Sequence, residues 1–229
     1  MRRQNLIAAG ALLGAGLALT ACDVRLGAIG VNDQQAVQSY DVTDKITGLT
    51  VDSGSGDVVI NESDRTGVHV TETLHWHGDK PQNGHQVDGG ALTLGYRCGN
   101  CSIDYRIEIP RGLAVRADAG SGTITLRGLT GETSAGTGSG DIDARGLAGR
   151  RVTAQTGSGD VELRFSAVPD DVDVETGSGD GTVWVPYGSY NVKTETGVGS
   201  KDVTVAQDPS APHTVVVKTG SGDAKVLKN

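Results

Sequence analysis

The chain has 229 residues; 35 are Gly, only one is Phe, and 28 acidic residues outnumber 20 basic ones, for a formal net charge of −8 at pH 7. An acidic surface repels phosphates, so nucleic acid is excluded as a partner class. The length suits one elongated domain, and so few aromatic residues point to a thin core of small side chains.

Arg2 and Arg3 precede the apolar stretch Leu6 to Leu19, which is too short to span a bilayer comfortably and fits a removable signal peptide over residues 1–21. The stretch ends Leu19-Thr20-Ala21-Cys22, which resembles the lipobox of bacterial lipoproteins. The resemblance implies cleavage before Cys22 and a covalent lipid on its sulfur. The protein is therefore expected outside the cytoplasm, held on the bacterial membrane as a lipoprotein. Loss of Arg2 and Arg3 makes the mature chain more acidic still. Residues 22–40 are polar with no clear period and read as a lipidated tether. Residues 41–229 read as one β-repeat domain, irregular over 41–112 and regular over 113–229.

The repeat is an alternating apolar run, a Gly-x-Gly corner and a second alternating run. The corners are Gly54 with Gly56, Gly120 with Gly122, Gly138 with Gly140, Gly157 with Gly159, Gly177 with Gly179, Gly197 with Gly199, and Gly220 with Gly222. From Gly120 the steps are 18, 19, 20, 20 and 23 residues. Period-two patterning such as Val152, Ala154, Thr156, then Val161, Leu163, Phe165, gives each unit one apolar face. The expected fold is all-β: a single-domain, right-handed parallel β-solenoid of coils about 20 residues long, with glycine at the sharp corners. The alternative is an antiparallel meander or sandwich with hairpins at the glycines. Asp57, Asp141, Asp160, Asp180 and Asp223 follow the second glycine and are expected to accept hydrogen bonds from corner amides.

Between Gly54 and Gly120 about three units with diverged corners are expected. His69, His75 and His77 share one face of the strand Val68 to His77, opposite Val68, Val70, Leu74 and Trp76. An outward polar face is the expectation; zinc is the alternative, although the spacing matches no common zinc module. Leu92, Leu94 and Tyr96 precede Cys98-Gly99-Asn100-Cys101, and Ile103, Tyr105 and Ile107 follow. Gly-Asn suits a two-residue turn, and a hairpin there puts Tyr96 opposite Ile103 and Leu94 opposite Tyr105. Cys98 and Cys101 are expected to form a structural disulfide, with metal binding or redox chemistry as alternatives.

No catalytic residue is expected. Ser55, Ser121, Ser139, Ser158, Ser178 and Ser221 occupy equivalent corner positions, and none sits in a nucleophile elbow. The corners lack the Lys and helix of a phosphate loop. A stack of corner aspartates could attract cations, but Thr123 and Ser200 interrupt the series; no metal or cofactor is assigned.

The stretch Cys98…Cys101-Ser-Ile-Asp-Tyr-Arg-Ile-Glu-Ile-Pro110-Arg-Gly-Leu-Ala-Val, the serial Gly-Ser-Gly-Asp corners and links such as Leu126-Arg127-Gly128 resemble the bacterial putative-adhesin β-strand-repeat family of unknown function. The resemblance covers Val42 to Lys228 and departs at Gly197-Val198-Gly199-Ser200. It implies an all-β repeat fold in a secreted or lipidated surface protein, with no site residues to carry over. The expected function is non-enzymatic: adhesin-like binding of a protein or glycan, or envelope scaffolding. The alternatives are an accessory or sensor lipoprotein partnering a membrane protein, or a metal-binding or redox module at the Cys/His region.

Overall fold

The computed structural model describes residues 34–82, 84–96 and 98–229; the stretch read as a signal peptide, Cys22 and the first part of the tether lie outside these residues. The described chain opens with β1 (Gln34–Val42), turns into β2 (Gly48–Ser55) and crosses the first glycine corner into β3 (Val58–Glu62). β4 (Val68–Trp76), β5 (His85–Asp88), β6 (Ala91–Gly95) and β7 (Cys101–Ile109) follow. Regular pairs come next: β8 (Ala114–Ser121) with β9 (Ile124–Arg127), β10 (Thr133–Ser139) with β11 (Ile142–Leu147), β12 (Arg151–Ser158) with β13 (Val161–Phe165), and β14 (Asp171–Ser178) with β15 (Gly181–Val185). The chain closes with β16 (Ser189–Val198), β17 (Lys201–Val203), β18 (Ala206–Gln207), β19 (Thr214–Ser221) and β20 (Ala224–Lys228).

The strands form two ten-stranded sheets, ordered β1-β4-β7-β3-β9-β11-β13-β15-β20-β17 and β18-β16-β19-β14-β12-β10-β8-β2-β6-β5. Each glycine corner, from Gly54 and Gly56 between β2 and β3 to Gly220 and Gly222 between β19 and β20, carries the chain from one sheet to the other. Pairing is parallel except for β1–β4, β4–β7 and β5–β6. The architecture is all-β and solenoid-like, and the antiparallel alternative holds only at the N-terminal end.

Register explains the repeat. Val115, Thr133, Val152, Val172 and Val215 lie side by side, as do Ile124, Ile142, Val161, Gly181 and Ala224. These columns are buried between the sheets. Small and β-branched side chains fill so thin a core, each fully buried Val or Ile contributing about 1.5–3 kcal/mol.

Four features depart from a simple succession of coils, three of them correcting the expectations above. The coils are not stacked in chain order. β2 lies between β6 and β8, and β19 is inserted between β14 and β16. The inserted coil carries Val215, Val217 and Val226, all fully buried, whereas β16 presents Val192, Thr194 and Thr196, which stay half-buried at the end. The more apolar coil thus takes the doubly covered position, and the segment Thr204 to His213, which contains β18, supplies the length to cross back. Second, the stretch from Gly54 to Gly120 is not three diverged units. It holds one further coil, β6–β7, plus β4 and the short β5. Third, no hairpin forms at Gly99-Asn100: β6 pairs with β2 and β5, while β7 pairs with β3 and β4 in the other sheet. An arch between facing sheets and a hairpin both turn Leu92, Leu94, Tyr105 and Ile107 to one side, so parity alone did not separate them. Fourth, β1 starts at Gln34, inside the stretch read as tether, because it pairs along the whole of β4.

Candidate functional site

Three features carry the polar chemistry of the described residues: the corner ladder, a buried carboxylate at the N-terminal end, and a charged row on an outer face.

At the corners the hydrogen bonds run between coils. Asp57 Oδ1 accepts the Thr123 N–H at 2.8 Å, Asp141 that of Asp160, Asp160 that of Asp180, Asp180 that of Asp223, and Asp223 that of Ser200. Asp104 starts the series by accepting the Asp57 N–H at 2.9 Å. Beneath it runs a threonine ladder, in which Thr137, Thr156 and Thr176 donate to Gly122, Gly140 and Gly159 carbonyls one coil away. The second corner glycines lie at positive φ along the whole stack, Gly56 at +121° near one end and Gly222 at +138° near the other. Each is also tightly packed: an added Cβ would stand 2.3 Å from the Ile103 oxygen at Gly56 and 2.1 Å from the Gly179 oxygen at Gly222. The first corner glycines are packed as tightly, a Cβ standing 2.4 Å from the Gly54 oxygen at Gly120 and 2.5 Å from the Gly157 oxygen at Gly177, except at Gly54, where it meets nothing within 4 Å. Lys225 Nζ reaches both Asp180 (3.0 Å) and Asp223 (2.9 Å), and this contact, with the Ser200 amide, holds the Asp223 carboxyl well below the usual range. The ladder ties coils together and leaves the corner serines as a solvent-facing row.

At the N-terminal end Glu72 is fully buried on the inward face of β4, among Val70, Leu74 and Trp76. Tyr40 and Tyr96 each donate a hydroxyl to it at 2.6 Å, and the Gln38 amide donates both to Glu72 and to the Tyr96 oxygen. Tyr105 is 2% exposed beside them. Burial first, and then the Glu72 charge, pushes the Tyr40, Tyr96 and Tyr105 hydroxyls well above the ordinary phenol value. His85 stacks on Tyr40 with ring centroids 4.7 Å apart. This cluster joins β1, β4 and the end of β6. An open depression of about 690 Å³ beside Tyr96 is lined by Asp52, Asp79, Lys80, His85 and Cys98. The sequence pattern reads β4 as a simple apolar face and passes over Glu72, although a lone Glu at an inward parity position was the available signal.

Cys98 and Cys101 come together at the β6–β7 corner with Cα atoms 5.8 Å apart, within disulfide reach. The histidines face outward from β4: His69 Nδ1 lies 2.9 Å from Asp41 and His75 Nε2 3.7 Å from Asp104. Among the described residues no group of three or more His, Cys, Asp or Glu side chains is placed to hold a metal ion. No described helix is long and apolar enough to cross a membrane.

The outer face of the sheet beginning at β1 carries a row that the apolar pattern passes over, although each member stands five residues past a second corner glycine. Asn61, Arg127, Arg145, Arg164 and Trp184 align across β3, β9, β11, β13 and β15. Asp143 receives Arg127 at 2.7 Å and Arg145 at 2.9 Å. The Arg164 guanidinium lies 3.9 Å over the Trp184 ring, a cation–π contact. Guanidinium and indole, held rigid on a flat sheet, offer planar hydrogen-bond donors and a stacking surface.

A known family and solved structures match most of this chain. The family model described as Toastrack DUF4097 matches residues 43–227. A crystal structure described as a "putative cell adhesion protein" from Clostridium sporogenes superposes with a TM-score of 0.51 at 16% identity, covering 86% of this chain and 100% of that one. A "putative adhesin" from Bacteroides fragilis gives 0.43 at 14% identity, covering 83% and 97%. No curated protein matches the sequence.

Proposed function

Because the chain belongs to the Toastrack DUF4097 family, we propose that it is a non-enzymatic binding scaffold of the cell envelope, tethered to the membrane through a lipid on Cys22. The rigid stack, wound right-handed as parallel crossovers overwhelmingly are, lifts a flat polar face away from the bilayer. The observation that carries the reading is the Asn61–Arg127–Arg145–Arg164–Trp184 row, a continuous open strip rather than an enclosed cleft. Its ligand is an envelope protein or glycan, recognised by guanidinium hydrogen bonding and stacking on indole.

The test is binding of the purified protein to isolated envelope material. Arg164→Ala and Trp184→Ala are expected to weaken retention at least about tenfold each. Unchanged retention in both variants would overturn the assignment of this face. The anchor is tested separately: Cys22→Ala should move the protein to the soluble fraction, and a variant that stays with the membrane would sink the lipid reading.

A further inference from the structure

The C-terminal end of the stack is built as an open edge. β16 pairs with β19 from Asn191 to Val198 on one side, but on the other it meets β18 only at Ser189 and Tyr190. Asn191 to Val198 therefore carry no strand on their outer side among the described residues. The inward positions show the same thing: Val192, Thr194 and Thr196 are half-buried, whereas Val215, Val217 and Thr219 beside them on β19 are buried. Val198, where the other corners have Ser, is 73% exposed. An unpaired row of amides and carbonyls is a template for another strand.

The direction of the free groups is fixed by the pairing already made. The Asn191 N–H donates to the His213 carbonyl at 2.8 Å, so in this parallel ladder the odd-numbered residues of β16 face β19. The Tyr190 carbonyl, on the other side, accepts from Asp208 at 3.0 Å. Val192, Thr194 and Thr196 therefore aim their backbone groups outward.

The corner offers little to a further parallel strand. Up to Asp223 a carboxylate takes the next coil's amide at every corner except Thr123, and the series ends at Ser200, whose N–H donates to Asp223 Oδ1 at 2.9 Å and which has no carboxylate to offer onward. A further parallel coil would go without this tie, as the Asp141 coil does at Thr123, so the corner gives a parallel strand no added hold. An antiparallel strand, which needs no such corner, is compatible with the edge.

We propose that this edge pairs with the same edge of a second copy of the chain, antiparallel about a two-fold axis through Thr194. In that register Thr194 faces Thr194, and Val192 faces Thr196. All are positions whose backbone groups point outward, giving about six hydrogen bonds. Lys193 then faces Glu195 twice on the outer surface, so the edge is complementary to itself in charge. Moving the axis to Val192 or Thr196 keeps the hydrogen-bond phase but loses both ion pairs.

Sedimentation velocity of the purified full-length protein in detergent tests this. The wild type is expected to form a dimer at about 100 µM, as suits a small interface. Lys193→Glu and Glu195→Lys each set like charges opposite one another and should weaken the dimer about tenfold, while the double exchange restores it. Thr194→Pro removes an outward N–H and should abolish the dimer. A monomer at all concentrations, or a dimer indifferent to the charge exchanges, would overturn the proposal. Should Thr194→Pro also unfold the end coil, the two charge variants and their rescue still decide.

Discussion

Asp160 Oδ1 accepts the backbone N–H of Asp180 at 2.8 Å, and the Asp160 N–H in turn donates to Asp141 at the same distance. Twenty residues apart in sequence, the two corners are one hydrogen bond apart in space. The relation repeats through most of the stack, so each aspartate acts on its neighbour's coil rather than its own.

Asp160→Ala is accordingly expected to cost about 1–2 kcal/mol, the worth of a charged acceptor on a backbone donor, and to lower Tm by about 3–6 °C. Asp160→Asn should recover most of the loss, because the amide oxygen can still accept. Thermal unfolding followed by circular dichroism measures both. A loss equal for Ala and Asn would mean that the carboxylate oxygen is not what links the coils.

Equivalent glycines should not tolerate substitution equally. A Cβ on Gly157 would stand 2.5 Å from the Gly138 carbonyl oxygen, while a Cβ on Gly54 meets nothing within 4 Å. Gly157→Ala should therefore destabilise by about 3 kcal/mol or more, and Gly54→Ala by less than about 0.5 kcal/mol. Denaturant midpoints of the two variants separate them; similar midpoints would contradict the stacking at Gly157.

Glu72 should couple to its hydroxyl donors. Tyr40→Phe and Tyr96→Phe are each expected to cost about 1–2 kcal/mol with Glu72 present. With Glu72→Leu in the background, the same changes should cost close to nothing, since no buried acceptor is left to satisfy. Additive costs in this double-mutant cycle would show that the two tyrosines act by packing alone.

The same cluster sets an alkaline limit. Tyr40, Tyr96 and Tyr105 hold their protons to well above the ordinary phenol value in the folded protein, chiefly through burial. The unfolded chain releases them near pH 10. Their contribution is complete below that pH and is lost as pH rises toward the folded values, because the unfolded state is then the one that ionises. Tm should fall steeply above about pH 10, with phenolate absorbance from these residues appearing together with unfolding. Phenolate absorbance from all five tyrosines ahead of the melt would contradict the burial.

The cysteines have a simple readout. With Cys22 acylated, denatured protein without reductant should show no free thiol, and reduced protein two. Reduction should cost at most about 2 kcal/mol, since the loop closed by Cys98 and Cys101 is short. Two thiols before reduction would exclude the bridge.

Period-two patterning and recurring glycine corners were enough to establish an all-β fold of stacked strand–corner–strand units, because alternation fixes which side of a strand is buried and a sharp corner needs glycine. They also placed the corner aspartates as acceptors. What they could not contain was the identity of each neighbour. Parity is the same for a hairpin and an arch, so it cannot tell that Leu94 and Tyr105 belong to two sheets rather than one. A repeat says that coils stack but not in which order, and only the competition for covered positions put β19 rather than β16 against β14. Glu72 is a single letter in an apolar run until β1 and Tyr96 close over it. The row from Arg127 to Trp184 stands at one repeat position, five residues past each second corner glycine, so the sequence already lines it up; that it lies on an open outer face is what the packing of the two sheets decides.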